Sequence, residues 1–218
     1  LGFLDQPLAV SLCGHVDVTS DFKQYYKVQG LFSDMTAWRN KRSLRPENIV
    51  FDVLTTADIT HVVADCADFH LKMEGEGGYQ RLLKKGENFW TELQHQLKKK
   101  RLDQARLRQR LPGVRLYMKT GKYNLVSRIL KYYGYELGKM SMNLTSSSLT
   151  GLNGHAEIDS LVIDSFLVDT VRLAVASKEG AMNYSLQVRN GKKNPQYVFN
   201  AFFEGALNAE GTYIKTSI

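Results

Sequence analysis

The chain has 218 residues, 43% of them hydrophobic and only four of them proline, with a formal net charge of +7. This length and composition allow a sizeable core and exclude a disordered linker array, and no stretch approaches the ~20 consecutive apolar residues of a membrane-spanning helix. Two cysteines, Cys13 and Cys66, are too few for a disulfide framework and read as small buried hydrophobes.

Up to about Gly75 the pattern has period two. Leu8, Val10, Leu12, Val16 and Val18 share one parity, Tyr26, Val28, Gly30 and Phe32 the next, and Ile49, Phe51 and Val53 follow the turn at Pro46. In THVVADCADFHLKMEG the apolar parity shifts from Val62, Ala64 and Cys66 to Phe69, Leu71 and Met73, which predicts a bulge near Ala67 or Asp68.

The period then becomes helical. Tyr79 to Leu97 places Leu82, Phe89, Leu93 and Leu97 on one stripe with Trp90 beside it. Asp103 caps a second short helix that carries Leu107 and ends before Pro112-Gly113. Val114–Met118 reads as a strand, and Tyr123–Gly134 as a third helix ended by its glycine.

From Lys139 alternation resumes. Met140, Met142 and Leu144 lead to Leu152, Ala156 and Ile158. A change of parity to Leu161, Ile163, Leu167, Val171, Leu173 and Val175 predicts a bulge or bend near Asp159. Lys178-Glu179-Gly180 is a hairpin signal; Met182–Val188 returns to the turn RNGKKNPQ, and Tyr197–Leu207 and Tyr213–Ile218 complete the series. The expected fold is mainly β with a helical insert (α+β): a β block at 1–76, helices with one short strand at 77–138, and a second β block at 139–218.

The charge is concentrated. Residues 81–110 hold ten Lys/Arg against Glu87, Glu92 and Asp103, while the remainder has nineteen of each sign. Lys98, Lys99, Lys100, Arg101 and Arg106 therefore stand out as a candidate contact for an anionic headgroup or a protein partner. The same cations fit nucleic-acid phosphates, but the neutral remainder and the lack of a recognition-helix motif speak against nucleic acid. A solvated helix pair packed on the sheet through its leucine stripe is the simpler account of them.

Other constellations dissolve on inspection. His61 and Asp65 of HVVADCADFH face away from Cys66, Asp68 and His70 on a regular strand, so no metal site is expected. MEGEGGYQRLL and MKTGKYN lack phosphate-loop spacing. No catalytic arrangement and no cofactor motif is visible, and the chain is expected not to be an enzyme.

The strands leave two possibilities open: closed sandwiches with ordinary cores, or a long curled sheet whose apolar side stays uncovered. The run QLKKKRLDQARLRQRLPG, the helix NLVSRILKYYG and the strands GLNGHAEIDSLVIDSFLVDTVRLAV and QVRNGKKNPQYVFNAFFEGAL resemble TamB-like proteins, the translocation-and-assembly-module subunits of the AsmA-like superfamily. The resemblance covers about Gly30 to the end. It implies antiparallel meander sheets curled into an open trough, with two or three helices packed at one opening. It further implies a periplasmic location in a full-length protein anchored in the inner membrane. The implied function is non-catalytic transport of phospholipid acyl chains between the membranes, with an outer-membrane barrel protein as partner. The helical insert departs from an uninterrupted trough. Since the chain starts at Leu1 and both ends fall in strand-like sequence, it reads as a piece of a longer protein.

On hydrophobicity, the expected lipid-groove lining is Leu167, Val171, Leu173, Val175, Met182, Tyr184, Leu186, Phe199, Ala201 and Phe203. The competing expectation is a structural or assembly scaffold in outer-membrane protein translocation, whose helices dock a protein partner.

Overall fold

The computed structural model describes residues 9–39, 42–45, 47–99, 103–178, 180–208 and 211–217. Six strands come first: β1 (Ala9–Ser20), β2 (Tyr26–Arg39), β3 (Arg42–Leu44), β4 (Ile49–Thr55), β5 (Ile59–Cys66) and β6 (Phe69–Glu76). Helices α1 (Tyr79–Lys98) and α2 (Gln104–Gln109) follow, then β7 (Val114–Thr120) and α3 (Leu125–Tyr132). The chain continues through β8 (Tyr135–Ser147), β9 (Gly151–Ile163), β10 (Phe166–Lys178), β11 (Ala181–Asn190), β12 (Phe199–Asn208) and β13 (Gly211–Ser217).

The strands pair antiparallel in chain order, except that β4 pairs with β2 and the short β3 is appended to β2, giving one open 13-stranded sheet with β1 and β13 at its edges. The strands on either side of the helices belong to this same sheet, because β7 bridges β6 and β8. Helices α1 and α2 connect the strand ends at Glu76 and Val114; α3 connects the opposite ends, at Thr120 and Tyr135. Two helices thus stand at one end of the strands and the third at the other, not all at one opening.

Local chemistry explains these boundaries. Gly78 offers α1 no side-chain cap, and the Thr55 hydroxyl instead accepts the Tyr79 amide at 3.0 Å. That hydroxyl also bonds Thr60 at 2.9 Å, and Thr60 donates to the Gly77 carbonyl, so a buried threonine pair seats the helix start. Asp103 caps α2 by accepting the Arg106 amide at 3.0 Å. Asn124 caps α3 through Ser127 N–H and, fully buried, donates to Asp68, Thr120 and the Gly121 carbonyl. Gly134, at φ +87°, ends that helix in the left-handed conformation.

Three sequence expectations change. The parity shift near Ala67 is a two-residue turn between β5 and β6, with Ala67 at φ +52°, and not a bulge within one strand. The alternating run after Ile158 is not one continuous strand: Asp164-Ser165 turns β9 into β10, pairing Ile163 with Phe166. Ser160, beside the expected bend, does adopt φ +60°, but the register is the same on both sides of it. Finally, Cys66 is buried while Cys13 is exposed, and both are free thiols.

Candidate functional site

Residues directly opposite each other on antiparallel strands point to the same side of a sheet. The register therefore sorts the side chains of the whole molecule. One line of partners runs Val16, Gly30, Phe51, Ala64, Leu71, Met118, Met142, Ala156, Leu173, Leu186, Phe203, Thr216, crossing β1 to β13. Two positions along, on the same side, runs Val18, Val28, Val53, Val62, Met73, Leu116, Leu144, Gly154, Val175, Tyr184, Gly205, Ile214. Neither line contains a charge.

The line between them points to the other side. It reads Asp17, Gln29, Asp52, Val63, Lys72, Tyr117, Asn143, His155, Ala174, Ser185, Glu204, Lys215. Cross-strand polar pairs populate this side: Arg172 with Glu157 at 2.7 Å, Lys215 with Glu204 at 3.2 Å, and Gln187 with Asn200 at 2.7 Å. A concavity of about 480 Å³ on this side is lined by Asp68, His70, Lys119, Glu157 and Asp159 among others.

The apolar side has little cover. Within the two apolar lines only Gly205 is buried; the other residues are partly exposed, Leu173 at 42% and Val18 at 64%. The accessible surface, 14788 Å², exceeds the roughly 10,000 Å² expected of a compact monomer of 24.7 kDa. Glycines on this side let aromatic rings lie against the backbone: Phe51 covers Gly30, Phe32 covers Gly14, and the two rings stack 5.4 Å apart.

Of the expected lining, Val171, Leu173, Val175, Met182, Tyr184, Leu186, Ala201 and Phe203 share this side through pairs such as Leu173–Leu186 and Leu186–Phe203. Phe199 continues the same parity on β12, opposite the buried Asn190. Leu167 pairs with Val162, beyond the left-handed Ser160, and its backbone is held by Gln196, Asn190 and Asn194 side chains. Sequence reasoning confined the lining to β10–β12. The register extends the apolar side over β1 to β9, whose alternation was visible but whose pairing was not.

The helices seat at its two ends. The Leu82 side chain of α1 fills the space above Gly75, on the apolar side of β6, and Tyr79 meets Tyr26 edge-on at 5.9 Å. Helix α2 touches β12 and buries Leu107, with Leu111 beyond it and Leu207 buried on β12. Arg108 donates to the carbonyls of Ser148 and Leu149 in the β8–β9 turn. At the other end, Arg128 of α3 reaches the Arg45 carbonyl and the Glu47 carboxylate.

A buried carboxylate ties the helix pair together. Glu92 accepts from the Gln96 amide at 2.8 Å and faces Arg110 at 3.2 Å and Arg106 at 3.8 Å, while Gln96 accepts the Asp103 amide. The Gln96 hydrogen bond, reinforced by the two guanidinium groups, holds the Glu92 carboxyl below its ordinary range despite burial, which works the other way. Arg106, expected to meet an anionic partner, thus leans toward Glu92 but stays 60% exposed. Lys98 and Lys99 are exposed at the end of α1; Lys100 and Arg101 lie outside the described residues. The inward stripe of α1 is Leu82, Phe89, Leu93 with Glu92 and Gln96, whereas Leu97 and Trp90 face outward, correcting the expected placement of Leu97.

Among the described residues no cluster of His, Cys, Asp or Glu is arranged to hold a metal ion. No protein family, curated protein or solved structure matches the chain.

Proposed function

We propose that the sheet curls into an open trough whose apolar side binds phospholipid acyl chains, without a catalytic step. The observation that carries this reading is the pair of uncharged side-chain lines crossing twelve strands, over most of which no protein layer lies among the described residues. The contact between α2 and β12 supports the curl. β12 lies five strands from β7, a span of about 24 Å in a flat sheet at ~4.8 Å per strand. Acyl chains laid along such a side gain about 0.8 kcal/mol per buried CH₂. Headgroups stay in water, so no specific side-chain chemistry is required.

The likeness of its strand and helix sequences to TamB-like proteins suits the same role: a periplasmic segment of an inner-membrane-anchored protein that passes phospholipid toward the outer membrane with a barrel partner. The scaffold alternative needs the apolar side closed by protein, and no second sheet covers it among the described residues. Protein purified without detergent and extracted for mass spectrometry is expected to yield co-purified phospholipid. Lipid-free protein from repeated preparations would contradict the proposal.

A further inference from the structure

Helix α1 carries a second apolar surface that the sheet does not use. Leu83, Trp90 and Leu97 recur every seven residues, which places them within one outward sector of the helix, and they are 63%, 57% and 54% exposed. Leu82 and Phe89, by contrast, turn inward. Half of the apolar arc of this helix is thus packed and half is bare.

The polar face of this helix is cationic. Lys98 and Lys84 are exposed about 80° and 120° around α1 from the bare strip, and Arg81, Lys99 and, on α2, Arg106 lie toward its far side. Of the two acids of α1, Glu92 is buried against Arg106 and Arg110, and Glu87 is exposed next to the strip, one turn from both Leu83 and Trp90. Residues 81–110 hold ten Lys/Arg against three acids, the whole excess charge of the chain. A tryptophan and two leucines in one strip, on a helix whose polar face is rich in Lys and Arg, is the composition of a helix lying in the headgroup region of a bilayer.

We propose that the outward face of α1 docks onto the surface of an anionic phospholipid bilayer, with Leu83, Trp90 and Leu97 entering the headgroup boundary, Lys98 and Lys84 reaching lipid phosphates at its edge, and the remaining cations adding to the attraction at longer range. The charge of the segment selects this occupant over a neutral protein partner. The inference deepens the acyl-chain reading, because it sets the Glu76–Val114 end of the strands, where α1 begins, against a membrane.

The test is flotation with phosphatidylcholine vesicles, prepared with and without phosphatidylglycerol. The chain is expected to float with the anionic vesicles, to lose binding at high salt, and to stay behind with phosphatidylcholine alone. The combined substitution Leu83→Glu, Trp90→Glu, Leu97→Glu lies on exposed positions and is expected to weaken flotation roughly a hundredfold. Lys98→Glu with Lys99→Glu is expected to weaken it about tenfold. Unchanged circular dichroism shows that each variant remains folded.

No flotation with anionic vesicles, or equal flotation of the triple variant, overturns the proposal. So does a dimer that the triple variant converts to monomer without any vesicle binding, since a second copy would then be the occupant. Co-purified lipid is measured on the same preparations. Lipid retained without vesicle binding overturns the docking alone, and vesicle binding without co-purified lipid overturns the acyl-chain reading alone.

Discussion

The two sides of the sheet are built from the same strands, one residue apart, and have opposite chemistry. Leu173 and Leu186 face each other on one side; Arg172 and Gln187, the next pair along, face each other on the other. On the polar side Arg172 answers Glu157, and Gln187 answers Asn200. On the apolar side Leu173, 42% exposed, faces its cross-strand neighbours Ala156 and Leu186. A soluble sheet tolerates one solvated side because that side is polar. An apolar side left without a protein layer requires some other cover, and the contrast between the sides locates where that cover belongs.

The largest expected effect comes from putting a charge on one side or the other. Leu186→Lys should weaken lipid retention roughly tenfold or more, since a cation in an acyl environment costs about 2–4 kcal/mol. Gln187→Lys, one residue away, should leave retention unchanged. Lipid quantified by mass spectrometry on both variants checks this, and equal losses would erase the distinction between the sides.

Next in size is packing on the apolar side itself. A side chain at Gly30 would overlap the Phe51 ring, so Gly30→Ala should cost about 1–3 kcal/mol in denaturant unfolding. Gly86, with open space around it, is the matched control, and Gly86→Ala should be neutral or stabilising within a helix. Asn124→Ala removes a fully buried cap that also satisfies Asp68 and Thr120, and should cost about 1–3 kcal/mol. Hydrogen exchange should speed first in α3.

The smallest effects belong to exposed charge. Arg172→Ala on the polar side should change stability by no more than about 1 kcal/mol, as for exposed ion pairs generally. Glu92 adds a pH dependence to the helix pair. Its folded pKa is lowered, so its stabilising contribution is complete above the unfolded carboxyl range and is lost as pH falls through the lowered folded value. Glu92→Gln should flatten the acid limb of thermal stability against pH without altering the limb above neutrality.

Period-two alternation marked the strands, and the change to a 3.6-residue period marked α1, α2 and α3 with the cap at Asp103 and the glycine stop at Gly134, while the cap at Asn124 appears only in the structure. The turns were harder. Asp164-Ser165 has no glycine or proline, and Ala67 adopts φ +52°, so both looked like interruptions within longer strands. Alternation also separates two sides without saying which neighbour a strand meets. Val53 and Val175 belong to one line across the sheet although more than a hundred positions separate them, and that follows only from register. The stripe of α1 had the same ambiguity: its apolar arc includes both Leu93 and Leu97, and only the position of α2, which binds Glu92 and Gln96, decides that Leu97 faces out.

The most direct test is site-specific photo-crosslinking in cells. A crosslinking residue placed at Leu173, and separately at Arg172, reads the two sides of one strand at adjacent positions. Lipid labelled from Leu173 and not from Arg172 is the expected result. Equal labelling from both positions, or none from Leu173, would contradict a lipid-binding apolar side.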